Sequence, residues 1–260
     1  MKYTVLALFP EIVDAYFAAS IMAKAVSRGI IEYRPVNIRD FAPDKHHSCD
    51  DAPYGGGAGM LMLPEPLGLA LESAGVYPRP AVERPVPGRK VIYLSPSGRP
   101  FTQALARELA GETELVLICG RYEGIDQRVI DLYVDDEISV GDYVLSSGEV
   151  AALALIDATY RLLNEVITPE SLEEESFAGN LLEYPQYTRP EIYATLKVPE
   201  VLLSGHHENI RRWRRKKQVE KTLAVRPDLI DRGVTLGLFD RETGRFIEEL
   251  RWKDERDKGD

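Results

Sequence analysis

Two segments of this chain gather the residue types that hold a small polar ligand. Cys119-Gly120-Arg121-Tyr122-Glu123-Gly124 closes an apolar run at residues 115–119, and Gly141-Asp142-Tyr143-Val144-Leu145-Ser146-Ser147-Gly148 follows another at residues 137–140. Glycines let a ligand come close to the backbone, and the carboxylates beside them supply acceptors. In an open α/β sheet, ligands bind on the loops that follow buried strands. The chemistry expected of residues 117–149 is therefore recognition of a small molecule at a sheet edge. Nothing else in the chain sets so many polar and flexible residues between hydrophobic strands.

Five other segments carry candidate chemistry, each beside a plainer alternative. Tyr54-Gly55-Gly56-Gly57-Ala58-Gly59 can form a nest of backbone N–H groups for an anion, or be an ordinary flexible loop. It lacks the Gly-Lys-Ser/Thr ending of a Walker motif, which argues against nucleotide hydrolysis. No GxGxxG follows the first strand, which argues against a dinucleotide oxidoreductase. His46-His47-Ser48-Cys49-Asp50-Asp51 and His206-His207 contain metal-ligand types. Adjacent histidines diverge, however, and no second cluster at zinc spacing completes a site, so no metal site is expected. Glu173-Glu174-Glu175 reads as a solvated acidic run unless one of the three reaches a pocket as a general base. Arg211-Arg212-Trp213-Arg214-Arg215-Lys216-Lys217 sets six basic residues in seven. Such a run is either a solvated helix face or a footprint for phosphates.

The elements that must position these residues follow from hydrophobic pattern and punctuation. Residues 3–8 read as a buried strand, residues 10–28 as a helix opened by Pro10 and stopped by Gly29, and residues 30–38 as a second strand. Residues 40–59 read as polar and irregular and 64–74 as a helix. Residues 75–88, with Pro78, Pro80, Pro85 and Pro87, read as an exposed loop. A third strand at 91–94 runs into the turn Ser95-Pro96-Ser97-Gly98, and Thr102 caps a helix to residue 110. Residues 149–163 alternate small and large apolar side chains at helical spacing, as a mostly buried helix does. Strands alternating with helices imply a largely parallel sheet with right-handed crossovers. Residues 165–179 read as an acidic linker, 181–199 as extended, and the chain from 204 onward as a helical, charged second domain.

With 260 residues and 44% hydrophobic content, the chain can bury the core of one large domain plus a smaller one. No run approaches the ~18 apolar residues of a membrane span. The N-terminus reads as a strand rather than a signal peptide, because Pro10 and Glu11 interrupt it. Cys49 and Cys119 are too few for a disulfide framework and point to a cytoplasmic protein. The net charge of −10 taken alone argues against a nucleic-acid partner; the basic run at 211–217 argues for one.

Read together, seven segments resemble the bacterial tRNA (guanine-37-N1)-methyltransferases. They are Leu8-Phe9-Pro10-Glu11, Asp50-Asp51-Ala52-Pro53-Tyr54-Gly55-Gly56-Gly57, Val91-Ile92-Tyr93-Leu94-Ser95-Pro96 and Cys119-Gly120-Arg121-Tyr122-Glu123-Gly124-Ile125-Asp126. Gly141-Asp142-Tyr143-Val144-Leu145-Ser146, Tyr187-Thr188-Arg189-Pro190 and Ile210-Arg211-Arg212-Trp213-Arg214 complete the set. No single segment is decisive; seven in family order are highly specific.

The resemblance implies an α/β fold of the SPOUT class. A parallel sheet with a deep trefoil knot would occupy residues 1–164, a flexible linker 165–180, and a small, mostly helical tRNA-binding domain 181–260. It implies S-adenosylmethionine held by Tyr93, Leu94, Ser95, Gly120, Tyr122, Glu123, Val140, Gly141, Asp142, Tyr143, Val144, Leu145 and Gly148. It also implies a homodimer with the active site shared between subunits.

The reaction implied is methylation of guanine N1 beside the tRNA anticodon. N1 must lose a proton to become nucleophilic, which requires a base, and charge growing on O6 requires a donor. At matching positions the base is Glu175, where an aspartate before Ser-Phe is usual, and the donor is Arg161; Glu173 and Glu174 are the alternative bases. RNA contacts fall to Tyr54, Gly55, Gly56, Gly57, Arg189, Arg211, Arg212, Arg214, Arg215 and Lys216. Ser147 stands where glycine is common and Ala151 where proline is common. The family's divalent ion, Mg2+, has no dedicated ligand cluster in the sequence. Two other readings stay open. A SPOUT enzyme acting on another RNA would keep the cofactor loops but not residues 54–57 or the basic helix. A non-catalytic RNA-binding protein would lose Arg161 and the acid at 175.

Overall fold

An uninterrupted apolar run such as Leu115-Val116-Leu117-Ile118-Cys119 belongs inside a sheet that is covered on both faces. The computed structural model, which describes residues 1–81, 83, 85–168 and 175–257, places it there. The chain forms two compact units, Met1–Ile167 and Thr168–Asp260. In chain order the first unit contains β1 (Lys2–Ala7), α1 (Pro10–Phe17), α2 (Ser20–Ser27), β2 (Glu32–Asn37), and the two-residue strands β3 (Asp50–Asp51) and β4 (Leu61–Met62). It continues with α3 (Pro64–Ser73), β5 (Arg89–Pro100), α4 (Gln103–Ala110), β6 (Glu114–Cys119), α5 (Gln127–Tyr133), β7 (Asp136–Ser139) and α6 (Gly148–Tyr160). Five strands make one sheet in the order β2-β1-β6-β5-β7, and every pairing in it is parallel. All five therefore end on one edge.

Alternate residues of each strand feed two cores, one on each face. Tyr3, Val5, Leu115, Leu117, Ile92 and Leu94 pack with Phe17, Leu109, Leu155 and Ile156 from α1, α4 and α6. Leu6, Val116, Ile118, Val91 and Tyr93 pack with Leu67, Leu71, Val129 and Tyr133 from α3 and α5. Thr102 caps α4 as its sequence predicts, its hydroxyl accepting a bond from the Leu105 N–H at 3.3 Å.

Two elements differ from the sequence reading. The helix expected over 10–28 is broken into α1 and α2, and Ser20, the first residue of α2, takes a left-handed φ of 52°. The buried positions Val13, Phe17, Met22 and Ala25 include a five-residue step that no continuous helix keeps on one face, so the break restores the register. The turn expected at 95–98 interrupts β5 and does not end it. Leu94 and Arg99 both pair with Ile138, so the four residues between them loop out and the strand resumes.

In the second unit a short antiparallel pair, β8 (Ile192–Tyr193) and β9 (Leu196–Lys197), precedes α7 (Glu200–Leu203), α8 (His207–Val225), α9 (Pro227–Thr235) and α10 (Arg241–Asp257). Its core is small: Leu181, Val219, Ile230, Phe246 and Ile247 are buried together. Thr222 ties the entering chain to α8, its hydroxyl accepting from the Leu182 N–H at 2.8 Å and donating to the Gln218 carbonyl at 2.6 Å. Among the described residues, no helix is long and apolar enough to cross a membrane.

Candidate active site

The carboxyl ends of β5, β6 and β7 surround a cavity of about 310 Å³, a size that suits a small molecule. Residues 93–97, 120–124, 138–141 and 143–148 line it, and Ala151 of α6 closes it. Every residue that the resemblance assigns to a cofactor lines this cavity except Asp142, which is exposed. Pro96, Ser97, Arg121, Ser146 and Ser147 line it too. Pro96, Arg121 and Ser146 belong to the segments that carry the resemblance, whereas Ser97 and Ser147 only adjoin them.

The loops are locked to one another through backbone. The Gly148 N–H donates to the Gly120 carbonyl at 2.8 Å, and Arg121 bridges Ser147. A Cβ at residue 148 would lie 2.7 Å from Cys119 Cα and from the Gly120 nitrogen, so only glycine lets α6 start against the end of β6. A Cβ at residue 120 would press on the Tyr93 ring at 2.9 Å. Ser139 fixes the third loop, its hydroxyl donating to the Gly141 carbonyl at 3.0 Å. Tyr93 is buried, and desolvation, followed by the nearby Glu137 charge, raises its phenol pKa, so it presents a neutral hydroxyl.

Behind the cavity sits Glu149, in the first turn of α6 and 1% exposed. Among the described residues neither of its carboxylate oxygens has a hydrogen-bond partner. No motif in the sequence marks Glu149 for a role.

The glycine loop is strapped to the cavity. The Glu123 N–H donates to the Met60 carbonyl at 3.0 Å, and the Met62 N–H donates to the Gly124 carbonyl at 3.0 Å. Gly55, Gly56 and Gly57 hold φ of 88°, 80° and 126°, values that residues with side chains rarely adopt. This loop carries Tyr54 out to full exposure. His47 Nδ1 lies 2.9 Å from the Arg39 carbonyl oxygen, and Cys49 is buried.

The two residues expected to do the chemistry sit in separate units. Arg161 is the C-cap of α6 in the first. Glu175 belongs to the second, where its carbonyl accepts from the Ala178 N–H at 3.1 Å and the adjacent Ser176 hydroxyl accepts from the Glu183 N–H at 3.1 Å. Glu173 and Glu174 lie outside the described residues.

The basic run lies on α8, where several of its cations already have partners. Arg211 bonds Glu208 at 2.6 Å and Glu242 at 2.8 Å, and those bonds raise its guanidinium pKa. Arg212 lies 3.4 Å from Glu242, Lys217 lies 2.6 Å from Glu220, and Arg214 sits 4.8 Å over the Tyr184 ring. Trp213 packs near Tyr187, with ring centroids 6.3 Å apart. Arg189 and Lys216 are exposed, and Arg215 is partly so. Glu242 is remote in sequence, so the local charge pattern could not reveal this internal pairing.

Sheet and cavity together define an α/β protein with a small-molecule-sized cavity at the carboxyl edge of a parallel sheet and a separate, mostly helical unit that carries a basic run. The family model described as tRNA (Guanine-1)-methyltransferase TrmD matches residues 1–232, and the chain belongs to that family. A Treponema denticola protein named tRNA (guanine-N(1)-)-methyltransferase is 61% identical over 250 residues, which is 96% of this chain and 99% of its own. Proteins of the same name from Treponema pallidum and Borrelia duttonii are 56% and 58% identical, covering 97% and 88% of this chain and 97% and 92% of their own.

Proposed function

We propose that this protein methylates N1 of guanine 37, beside the anticodon of tRNA, with S-adenosylmethionine as the methyl donor. One observation carries the reading: in a chain of this family, the loops that the resemblance assigns to the donor enclose one cavity at the carboxyl edge of the sheet.

The residues present suit an adenosyl group. Gly120 and Gly148 bring backbone within contact distance, and Leu94, Ile138, Val140 and Ala151 offer apolar walls for a planar base. When bound, S-adenosylmethionine supplies a methyl group on a sulfonium that keeps the electron pair as the methyl leaves. Glu175 takes the guanine N1 proton, so the pair left on N1 forms the new carbon–nitrogen bond. Arg161 donates to O6 as negative charge grows there. A glutamate in place of the usual aspartate reaches one methylene farther, which shifts the base without changing its chemistry. The exposed Tyr54 and glycines 55–57 admit the target base, while Arg189, Arg211, Arg212, Arg214, Arg215 and Lys216 hold the tRNA backbone. Among the described residues, no three His, Cys, Asp or Glu side chains converge.

We further propose that the sheet carries the SPOUT trefoil knot, formed by residues 93–95, 120–123 and 140–146. Its support is the packing of those loops on one another. The assembly proposed is a cytoplasmic homodimer with a shared active site. Tyr143, Val144 and Val150, all exposed near the cavity, are the kind of apolar surface a partner covers. Residues 165–180, of which 169–174 lie outside the described residues, serve as the linker, and 181–260 as the tRNA-binding domain.

Calorimetric titration with S-adenosylmethionine tests the donor directly. Saturable binding that is lost when Gly120 or Gly148 carries a larger side chain is the expected result; no binding to the wild-type protein would overturn the reading.

A further inference from the structure

We infer that Arg39 and Arg121, both held on the ring of Phe9, form a seat for one phosphodiester of the RNA at the mouth of the cavity. The inference rests on the proposed RNA methylation and names a contact within the first unit that the basic helix does not provide.

Sheet order places the three residues together. Phe9 follows β1, Arg39 lies just beyond β2, and Arg121 lies just beyond β6. Because β2, β1 and β6 are parallel neighbours, all three residues emerge side by side on the carboxyl edge. Arg121 Cζ lies 4.6 Å from the Phe9 ring centroid and Arg39 Cζ 5.7 Å. A ring face attracts a guanidinium without using up its N–H donors, so both forks stay available to an anion. The Arg39 backbone is pinned as well: its N–H donates to Asn37 Oδ1 at 3.1 Å, and His47 Nδ1 meets its carbonyl at 2.9 Å.

Five other arginines of this unit are held by acids, while Arg34 donates to the Ser73 carbonyl at 3.2 Å. Arg28, Arg79, Arg89, Arg99 and Arg128 pair with Glu165, Asp135, Glu114, Asp136 and Asp126. Among the described residues, no carboxylate lies within ion-pair distance of Arg39 or Arg121. Two cations kept clear of acids, in a chain of net charge −10, mark a place where an anion is wanted. Planar guanidinium forks match phosphate oxygens in geometry as well as charge. Arg121 also lines the cavity, so a phosphate on this seat would flank a base held there.

The test uses Arg39→Gln and Arg121→Gln in the full chain, with an anticodon stem–loop RNA as the probe. Each variant should weaken RNA binding on the order of threefold to tenfold at low salt and lower the salt slope by about one. Affinity for S-adenosylmethionine should not change in Arg39→Gln, whose side chain is not part of the cavity lining. An RNA with a neutral methylphosphonate at the linkage next to the target guanine should bind wild type and variants alike. Arg39→Lys and Arg121→Lys, which keep the charge, should keep the slope and so separate a lost contact from a lost fold. RNA affinity and slope equal to wild type in both Gln variants would overturn the seat. Loss of donor affinity in Arg121→Gln would overturn it too, by giving that cation to the donor's carboxylate. A wild-type protein that methylates no tRNA counts against the proposed function, whereas methylation with RNA binding indifferent to both variants defeats the seat alone.

Discussion

Glu175 and Arg161 divide the proposed chemistry between a proton acceptor and a charge-stabilising donor. Removing either should leave donor binding nearly intact and slow the chemical step. Arg161→Ala and Glu175→Ala are each expected to lower single-turnover methylation by about 10²-fold or more, with S-adenosylmethionine affinity close to wild type. Full activity in Glu175→Ala would place the base elsewhere, at Glu173 or Glu174. Glu149 raises a different question, because a buried carboxylate without a partner costs stability that a neutral isostere does not. Glu149→Gln is therefore expected to stabilise the protein by about 1–3 kcal/mol in denaturant titration. A lower midpoint would show that the carboxylate is satisfied in the folded protein. Residue identity made the loop residues legible in the sequence, since their types and order match the family. Burial did not show: nothing in Gly148-Glu149-Val150 reveals that the middle side chain points inward.

At the scale of elements, the junction of α6 with β6 decides whether the cavity exists. Gly148→Ala sets a methyl group against backbone atoms that have no side-chain freedom to move aside. A loss of about 1–3 kcal/mol in stability and a marked loss of donor affinity are expected, read by thermal unfolding and calorimetry. Unchanged donor affinity would mean that the helix start is not part of the binding surface. The strands of this sheet were readable because β6 is continuously apolar and the others carry runs bounded by Gly and Pro. The break between α1 and α2 was not, because Ala18 and Ala19 favour helix locally and only burial of Met22 and Ala25 against the sheet requires the interruption. The basic run of α8 was legible as charge but not as free charge, since Glu242 reaches back from α10 to Arg211 and Arg212.

The whole first unit separates stability from function along its strands. At the amino edge, Glu114 accepts from Thr4 at 2.9 Å and Arg89 at 2.7 Å and pairs with Lys2 at 3.1 Å. Burial raises its carboxyl pKa, but the bonds from Lys2, Thr4 and Arg89 outweigh burial and leave it lowered. A lowered folded value gives stability that is present above the ordinary glutamate range and is lost as pH falls through the folded value. Glu114→Gln should therefore lose stability at neutral pH, and its deficit against wild type should shrink on acidification below about pH 4. A deficit that is constant with pH would contradict this network. The carboxyl edge, by contrast, holds the cavity, the glycine loop and the Phe9 cluster. The proposed function is a property of that edge together with the second unit, and one measurement addresses it most directly: methyl transfer from labelled S-adenosylmethionine to tRNA transcripts that differ only at position 37. The account predicts label at N1 of guanine 37 and none when that guanine is replaced. Label that persists on the replaced transcript, or no label on either, would contradict it.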